Sequence, residues 1–251
     1  MRAGSSGPAT AGSSGSSTQA SPSWGSQTGA VSVVGLGDSV TAGTACDCVP
    51  FINRFADLLA QRDGHPAVAT NLGTAGLTTQ SLAGQLARPG PAGSVASADT
   101  VVVTIGANDL TPLEDQWERH GCGPACVAPA TTAMGRGLAV DLARVKALGR
   151  PGQRVDVTTY WNVFEDGDVA DQERTAGFAD WSDTVTLSAS RVICSTARSF
   201  GDTCVDLYAP FLSADGTRNP TSLLASDGDH PNPAGHAVIA RALLAATPRG
   251  S

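Results

Sequence analysis

This sequence predicts an α/β domain whose parallel sheet is covered on both faces, and three observations lead there. Short Val-rich runs that read as buried strands alternate with segments whose apolar residues recur at helical spacing. Strict alternation of that kind implies βαβ units, and hence a parallel sheet. The 251 residues suffice for one such domain with a large core and some chain left over.

AVSVVGLG (30–37) is short, β-branched and bounded by glycine, the pattern of a fully buried strand. PFINRFADLLAQRDG (50–64) places Phe51, Ile52, Phe55, Leu58 and Leu59 on one helical face, and Gly64 can end it. AVATNLG (67–73) is a second strand, and Thr79 to Leu86 a short helix. DTVVVTIGAND (99–109) holds an unbroken β-branched run, the third strand. Residues 110–129, with Trp117, Cys122 and Cys126, read as a long loop. Helix returns over 130–148, where Leu138, Leu142, Val145 and Leu148 share a face and Gly149-Arg150-Pro151-Gly152 stops it. RVDVTTYW (154–161) and DTCVDLY (202–208) are strands four and five, with mostly helix across 170–199 between them. The last helix is NPAGHAVIARALLAA (232–246), with Asn232 as N-cap and Pro233 in its first turn.

Residues 1–29 are mostly Gly, Ser, Ala, Thr and Pro, which cannot bury enough surface to offset ordering entropy. They are expected to form a flexible linker ahead of a domain at 30–247. A chain beginning after a removed secretory signal would read this way. No apolar run approaches the roughly eighteen residues of a membrane span. The formal charge of −7 disfavours nucleic acid or an anionic membrane as main partner, since both attract basic patches.

The six cysteines fall in three local pairs near turn-forming residues, which suggests disulfides and an oxidising compartment. Neighbour pairing gives Cys46–Cys48, Cys122–Cys126 and Cys194–Cys204, the first closing a very tight ring. A zinc site built from CDC and CGPAC is the rival. Cys-x-Cys is not a usual zinc spacing, and no histidine follows either pair at ligand spacing.

In open parallel sheets, ligands bind beyond the carboxyl ends of the strands. Four segments bring polar groups there: Ser39 after strand one, Gly76 after strand two, Asn108 at the end of strand three, and Asp227 with His230 past strand five. Acyl transfer needs this set. Ser39 can supply the hydroxyl, and His230 a base. Asp227, three residues earlier, can turn back onto the imidazole and hold its tautomer. Asp229 has the wrong spacing for that and is expected to face solvent. The N–H groups of Ser39 and Gly76 and the amide of Asn108 can serve an oxyanion. Singly, each residue reads as an ordinary turn or cap; jointly, they suit one reaction. Of the other histidines, His65 reads as a surface turn, His120 as part of the cysteine loop, and His236 as structural.

GDSV (37–40), NLGTAG (71–76), GAND (106–109) and DGDHP (227–231) resemble, in order, four conserved blocks of the SGNH or GDSL hydrolases. The likeness spans residues 31–246. It implies a flavodoxin-like three-layer αβα sandwich with a five-stranded parallel sheet. It also implies a triad of Ser39, Asp227 and His230, and an oxyanion hole of Ser39, Gly76 and Asn108. Gly73 competes for the glycine role, but the spacing from Asn71 favours Gly76. The resemblance further implies a serine esterase that needs no cofactor or metal and acts as a monomer on a small-molecule, glycan or lipid ester. The cysteine pairs and the Arg-over-Lys bias are similar to secreted actinobacterial members. Small or medium acyl groups are expected, with 110–129 and 161–181 shaping the pocket. A lipase or phospholipase for longer chains, an acyltransferase, and a non-catalytic glycan-binding module are the alternatives.

Overall fold

The structure, a computed structural model, describes residues 29–249, so the expected linker lies outside the described residues except for Gly29. In chain order the elements are β1 (Val31–Gly37), α1 (Ser39–Ala42), α2 (Phe51–Asp63), β2 (Ala67–Asn71), α3 (Thr79–Leu86), α4 (Pro89–Ser97) and β3 (Thr100–Thr104). There follow α5 (Ala107–Leu110), α6 (Pro112–His120), α7 (Pro124–Leu148), β4 (Arg154–Thr158), α8 (Gly167–Glu173), α9 (Phe178–Ser199), β5 (Thr203–Val205), α10 (Tyr208–Leu212) and α11 (Pro233–Ala246).

The five strands form one parallel sheet in the order β2-β1-β3-β4-β5, the flavodoxin-like order expected. Helices α2 and α11 pack on one face, and α3, α4, α7 and α9 on the other. The central strand β3 is buried at every position, which is why it reads TVVVT without alternation. On the edge strand β2, Val68 is exposed.

Residues 110–129 are helical rather than a loop. Pro112 and Pro124 each sit in the first turn of a helix, where a missing N–H costs nothing, so they start α6 and α7. The segment is also anchored: Trp117 stacks on Trp181 at 5.0 Å, and the Trp181 indole N–H donates to the Cys122 carbonyl at 2.8 Å. Strand β5 is shorter than the 202–208 expected. Asp206 accepts from the N–H groups of Tyr208 and Ala209, which turns the chain out of the sheet into α10. Helix α4 carries too few large apolar residues, and α10 is too short at five residues, to show a helical period.

The cysteines stand in the three neighbour pairs expected, at disulfide distance, with Cα separations of 5.1, 5.3 and 5.1 Å.

Candidate functional site

The site begins where β1 runs into α1. Gly37 has φ +136°, and a Cβ there would lie 1.8 Å from the Thr104 carbonyl oxygen. Only glycine lets β1 end so close to β3. The next N–H, of Asp38, donates to that same oxygen at 3.0 Å and pins the turn to the sheet. The buried Asp38 carboxylate then accepts from the Val40 N–H at 3.0 Å and from the Tyr160 hydroxyl at 2.5 Å. Burial lifts the Asp38 carboxyl to about 7, against its hydrogen bonds. Ser39 is thereby held, part-exposed, at the carboxyl end of the sheet.

The second loop is locked by side-chain amides. Asn71 donates to the Thr41 carbonyl at 2.7 Å and accepts from the Gly73 N–H at 2.9 Å. Gly73 packs so tightly on α1 that a Cβ would sit 2.3 Å from the Ala42 nitrogen. Gly76, with φ +74°, stands in open space, and its N–H has no partner among the described residues. The two glycines thus divide the work. Gly73 allows close packing, and Gly76 presents a free donor.

Asn108 donates to the Leu77 carbonyl at 3.0 Å, which leaves its second amide hydrogen free. Its neighbour Asp109 accepts from both the N–H and the hydroxyl of Thr79, at 2.9 and 2.6 Å. Sequence reading gave Asn108 an oxyanion role and Asp109 none. Asp109 in fact clamps the third loop to the second, so that Gly76 and Asn108 keep their relation.

The fourth segment is nearly self-contained. The Ala225 N–H donates to the His230 carbonyl at 2.7 Å, and Asp227 Oδ1 accepts from the N–H groups of Asp229 and His230 at 3.1 and 3.0 Å. Asp227 Oδ2 lies 2.8 Å from His230 Nδ1. Burial pulls the Asp227 carboxyl upward, but these hydrogen bonds outweigh it and hold it below the ordinary carboxylate range. Asp229, the neighbour of His230, lines the same cleft as Asp38 and Ser39, which brings this loop to the Ser39 turn.

The Asp229 side chain is 44% accessible, as expected of a solvent-facing acid, and it also borders the site. It lines a cleft of about 260 Å³ together with Ser39, Asn108, Glu114, Glu165 and Arg174. Burial raises its carboxyl, with Asp227 adding and His230 opposing. The Arg174 guanidinium pairs with Glu114, with Glu118 at 3.1 Å and with Glu165 at 2.8 Å. It therefore ties α6 to the segment after β4. Both segments expected to shape the pocket do line it, through Thr111 and Glu114 from one and Trp161 to Glu165 and Arg174 from the other. His120 is exposed at the end of α6 and takes no part, and His65 lies in an exposed turn.

Sequence reading missed Asp38, Tyr160, Asp109 and Arg174. The first two are 122 residues apart, and Arg174 meets Glu118 across 56. Only an acid placed next to the candidate serine hinted at any of them.

Among the described residues, one group of three His, Cys, Asp or Glu side chains has ligand atoms close enough to hold a metal: Cys46, Cys48 and His236, within 4.8 Å of one another. His236 is fully buried on α11, and its Nδ1 accepts from the Phe51 N–H at 3.2 Å. It thus caps α2, whose own N-cap residue Pro50 offers no side-chain hydrogen bond.

The chain matches the GDSL-like lipase/acylhydrolase family over residues 36–238. Among curated protein sequences no relative matches it. Among solved structures it is similar to the lipase Lip_vut3 from a goat rumen metagenome, with a TM-score of 0.72 and 18% identity over 86% of this chain and 97% of that one. It is also similar to a catalytic mutant of Axe2, an acetylxylan esterase from Geobacillus stearothermophilus, with a TM-score of 0.63 and 20% identity over 88% of this chain and 95% of that one. At such identities these structures speak for the fold. The family match covers most of the chain, and its four motif blocks converge on one rim of the sheet: the chain belongs to the GDSL-like lipase/acylhydrolase family and is a carboxylic ester hydrolase.

Proposed function

We propose that this protein is a serine esterase working through an acyl-enzyme on small or medium acyl groups, with Ser39 as nucleophile, His230 as base and Asp227 as its partner. The observation that carries this is the combination at one rim of a 2.8 Å carboxylate–imidazole pair and three donors without protein partners. The donors are the N–H groups of Ser39 and Gly76 and the second amide hydrogen of Asn108. Ser39 Oγ adds to the ester carbonyl as His230 takes its proton, and the three donors meet the oxyanion. His230 then protonates the leaving alcohol and later activates water against the acyl-enzyme. Among the described residues no hydrogen bond yet joins Ser39 Oγ to the imidazole. Such contacts commonly tighten only when substrate fills the site.

The walls of the cleft favour a polar alcohol. Glu114, Glu165, Arg174 and Asp229 line a cleft of about 260 Å³ beside Trp161 and Phe164, a mixed wall that suits a short acyl group on a polar alcohol better than a long acyl chain. Acetylated sugars fit this chemistry, and one structurally similar protein is an acetylxylan esterase. We place the enzyme outside the cytoplasm as a monomeric domain at 30–247 behind a linker at 1–29, on the grounds of its paired cysteines and linker composition. It needs neither cofactor nor metal.

Purified protein should hydrolyse p-nitrophenyl acetate, and Ser39→Ala should lower turnover by at least about 10³-fold. Unchanged turnover would remove Ser39 from the mechanism. A fluorophosphonate that failed to label Ser39 would favour the glycan-binding alternative. An acyl-length series rising steadily to long chains would replace the esterase with a lipase or phospholipase, and product transfer to an added alcohol would mark an acyltransferase.

A further inference from the structure

The tight Cys46–Cys48 ring and the His236 buried beside it have no part in the acyl chemistry. The tautomer of His236 says what they can do. Nδ1 accepts the Phe51 N–H, so in the neutral ring the proton sits on Nε2. Burial, with Arg54 and His230 adding, pushes the His236 pKa down to about 4, which keeps the ring neutral. Nε2 is buried and has no hydrogen-bond partner. A ring nitrogen lies within 4.8 Å of both sulfurs. The ring's one acceptor is therefore already used, and its one N–H, on Nε2, is left without a partner beside the cysteine pair. A metal on Nε2 would move the proton to Nδ1 and set it against the Phe51 N–H.

The disulfide is also placed to react. Cys46 is buried while Cys48 is part-exposed, so one sulfur is open to attack. It closes the shortest loop of the three pairs, with a separation of 2 against 4 and 10, and so gains least from chain entropy. Both non-glycine residues flanking Cys46, Ala45 and Asp47, have φ in the left-handed region, at 59° and 45°. That conformation is costly for residues with a Cβ.

We propose that Cys46–Cys48 is a thiol-exchange site, in which a small thiol attacks Cys48 Sγ and the departing Cys46 thiolate is received by the His236 Nε2–H. The attacking thiolate forms a mixed disulfide with Cys48 as the Cys46–Cys48 bond breaks. A second thiol then attacks the mixed disulfide and leaves Cys48 reduced. Overall the protein disulfide gains two electrons and two protons, and two small thiols become one small disulfide. Among the described residues, charged or titratable groups near the pair include Arg54 on α2, whose guanidinium holds the Val49 carbonyl at 2.7 Å, Asp47 between the two cysteines in the chain, and His230, which bears on His236. Arg54 favours the thiolate and Asp47 opposes it. The link to Ser39 is short, since the N–H groups of Gly43 and Thr44 both donate to the Ser39 carbonyl at 3.0 Å.

The test is to equilibrate the full chain with glutathione at graded thiol-to-disulfide ratios, quench, alkylate and map each cysteine by mass spectrometry. Cys46 and Cys48 should be reduced first of the three pairs, with the trapped glutathione adduct on Cys48. Reduction of this pair last, or together with the others, would overturn the proposal. The rate of alkylation of Cys46 in the reduced protein should follow a thiolate titrating below the ordinary thiol value; a midpoint at or above that value would also overturn it. In His236→Asn the Oδ1 can still accept from Phe51 while the Nε2–H is gone. Alkylation of Cys46 at neutral pH should then fall about tenfold, the worth of one pKa unit. His236→Gln, which restores an N–H near the Nε2 position, should recover most of the rate. Equal rates in all three proteins would dismiss the role of His236.

Discussion

The turn that carries Ser39 and the loop that carries His230 meet at one rim but are held in opposite ways. The Ser39 turn depends on distant partners: the Asp38 N–H is fixed by Thr104, and its carboxylate by Tyr160, 122 residues away. The His230 loop depends on itself, since nearly every bond that shapes residues 225–230 begins and ends within them. One tie leaves it, from the Asp166 N–H to the Gly228 carbonyl at 2.8 Å. The comparison separates chemistry from architecture. A group anchored locally can be altered with little cost to the fold, whereas a group anchored across the sheet cannot.

That difference can be broken from its chemical side first. Asp227→Asn should lower kcat by about 10³- to 10⁴-fold through the wrong imidazole tautomer, while the urea midpoint stays near that of the wild type. A large loss of stability in this variant would mean that the loop is not self-contained. Asn108→Ala should cost about 10²- to 10³-fold in kcat, the usual worth of one oxyanion donor, with KM little changed. An effect confined to KM would take Asn108 out of the transition state.

On the architectural side, Tyr160→Phe removes the hydroxyl that satisfies Asp38. It should lower stability by about 1–3 kcal/mol, the cost of an orphaned buried acceptor, as measured by urea unfolding. An unchanged midpoint would show that Asp38 does not rely on Tyr160.

The smallest effect, and the sharpest, is in pH dependence. Asp38 is raised to about 7 from 3.8, so the folded state binds more protons than the unfolded between those values. Its contribution is fully present below pH 3.8 and is lost as pH rises through 7. His236 runs the other way. Lowered to about 4 from 6.5, it contributes fully above 6.5 and loses that contribution as pH falls through 4. Asp38→Asn should therefore move the pH of maximum stability upward, and His236→Asn should move it downward. Shifts in the same direction would contradict the burial of one of the two groups.

Much of this was legible in the chain. A buried strand must be apolar throughout and a surface helix apolar on one side, so β1, α2, α3, β3 and α11 declared themselves. Asn232 at its cap and Pro233 behind it marked the start of α11, and its side chain does accept from the Ala234 and Gly235 N–H groups. The Asp227–His230 pair was legible because three residues of loop bring the two side chains together. The stretch 110–129 misled because proline and glycine serve both as loop residues and as helix starters, and only the packing of Trp117 against Trp181 settles which.

The sequence by itself determined the class of fold, the succession of its five strands and main helices, and the types of residue available for catalysis. Those properties rest on periodicity and on contacts a few residues apart. The tertiary structure alone decided that Tyr160 supports Asp38, that Asp109 clamps Thr79, that Arg174 gathers Glu114, Glu118 and Glu165, and that His236 both caps α2 and faces Cys46 and Cys48. Apart from Arg174 and Glu165, nine positions apart, each of these joins residues 30 positions apart or more. Such contacts leave no period in the sequence, because it is the closing of the sheet that brings the partners together.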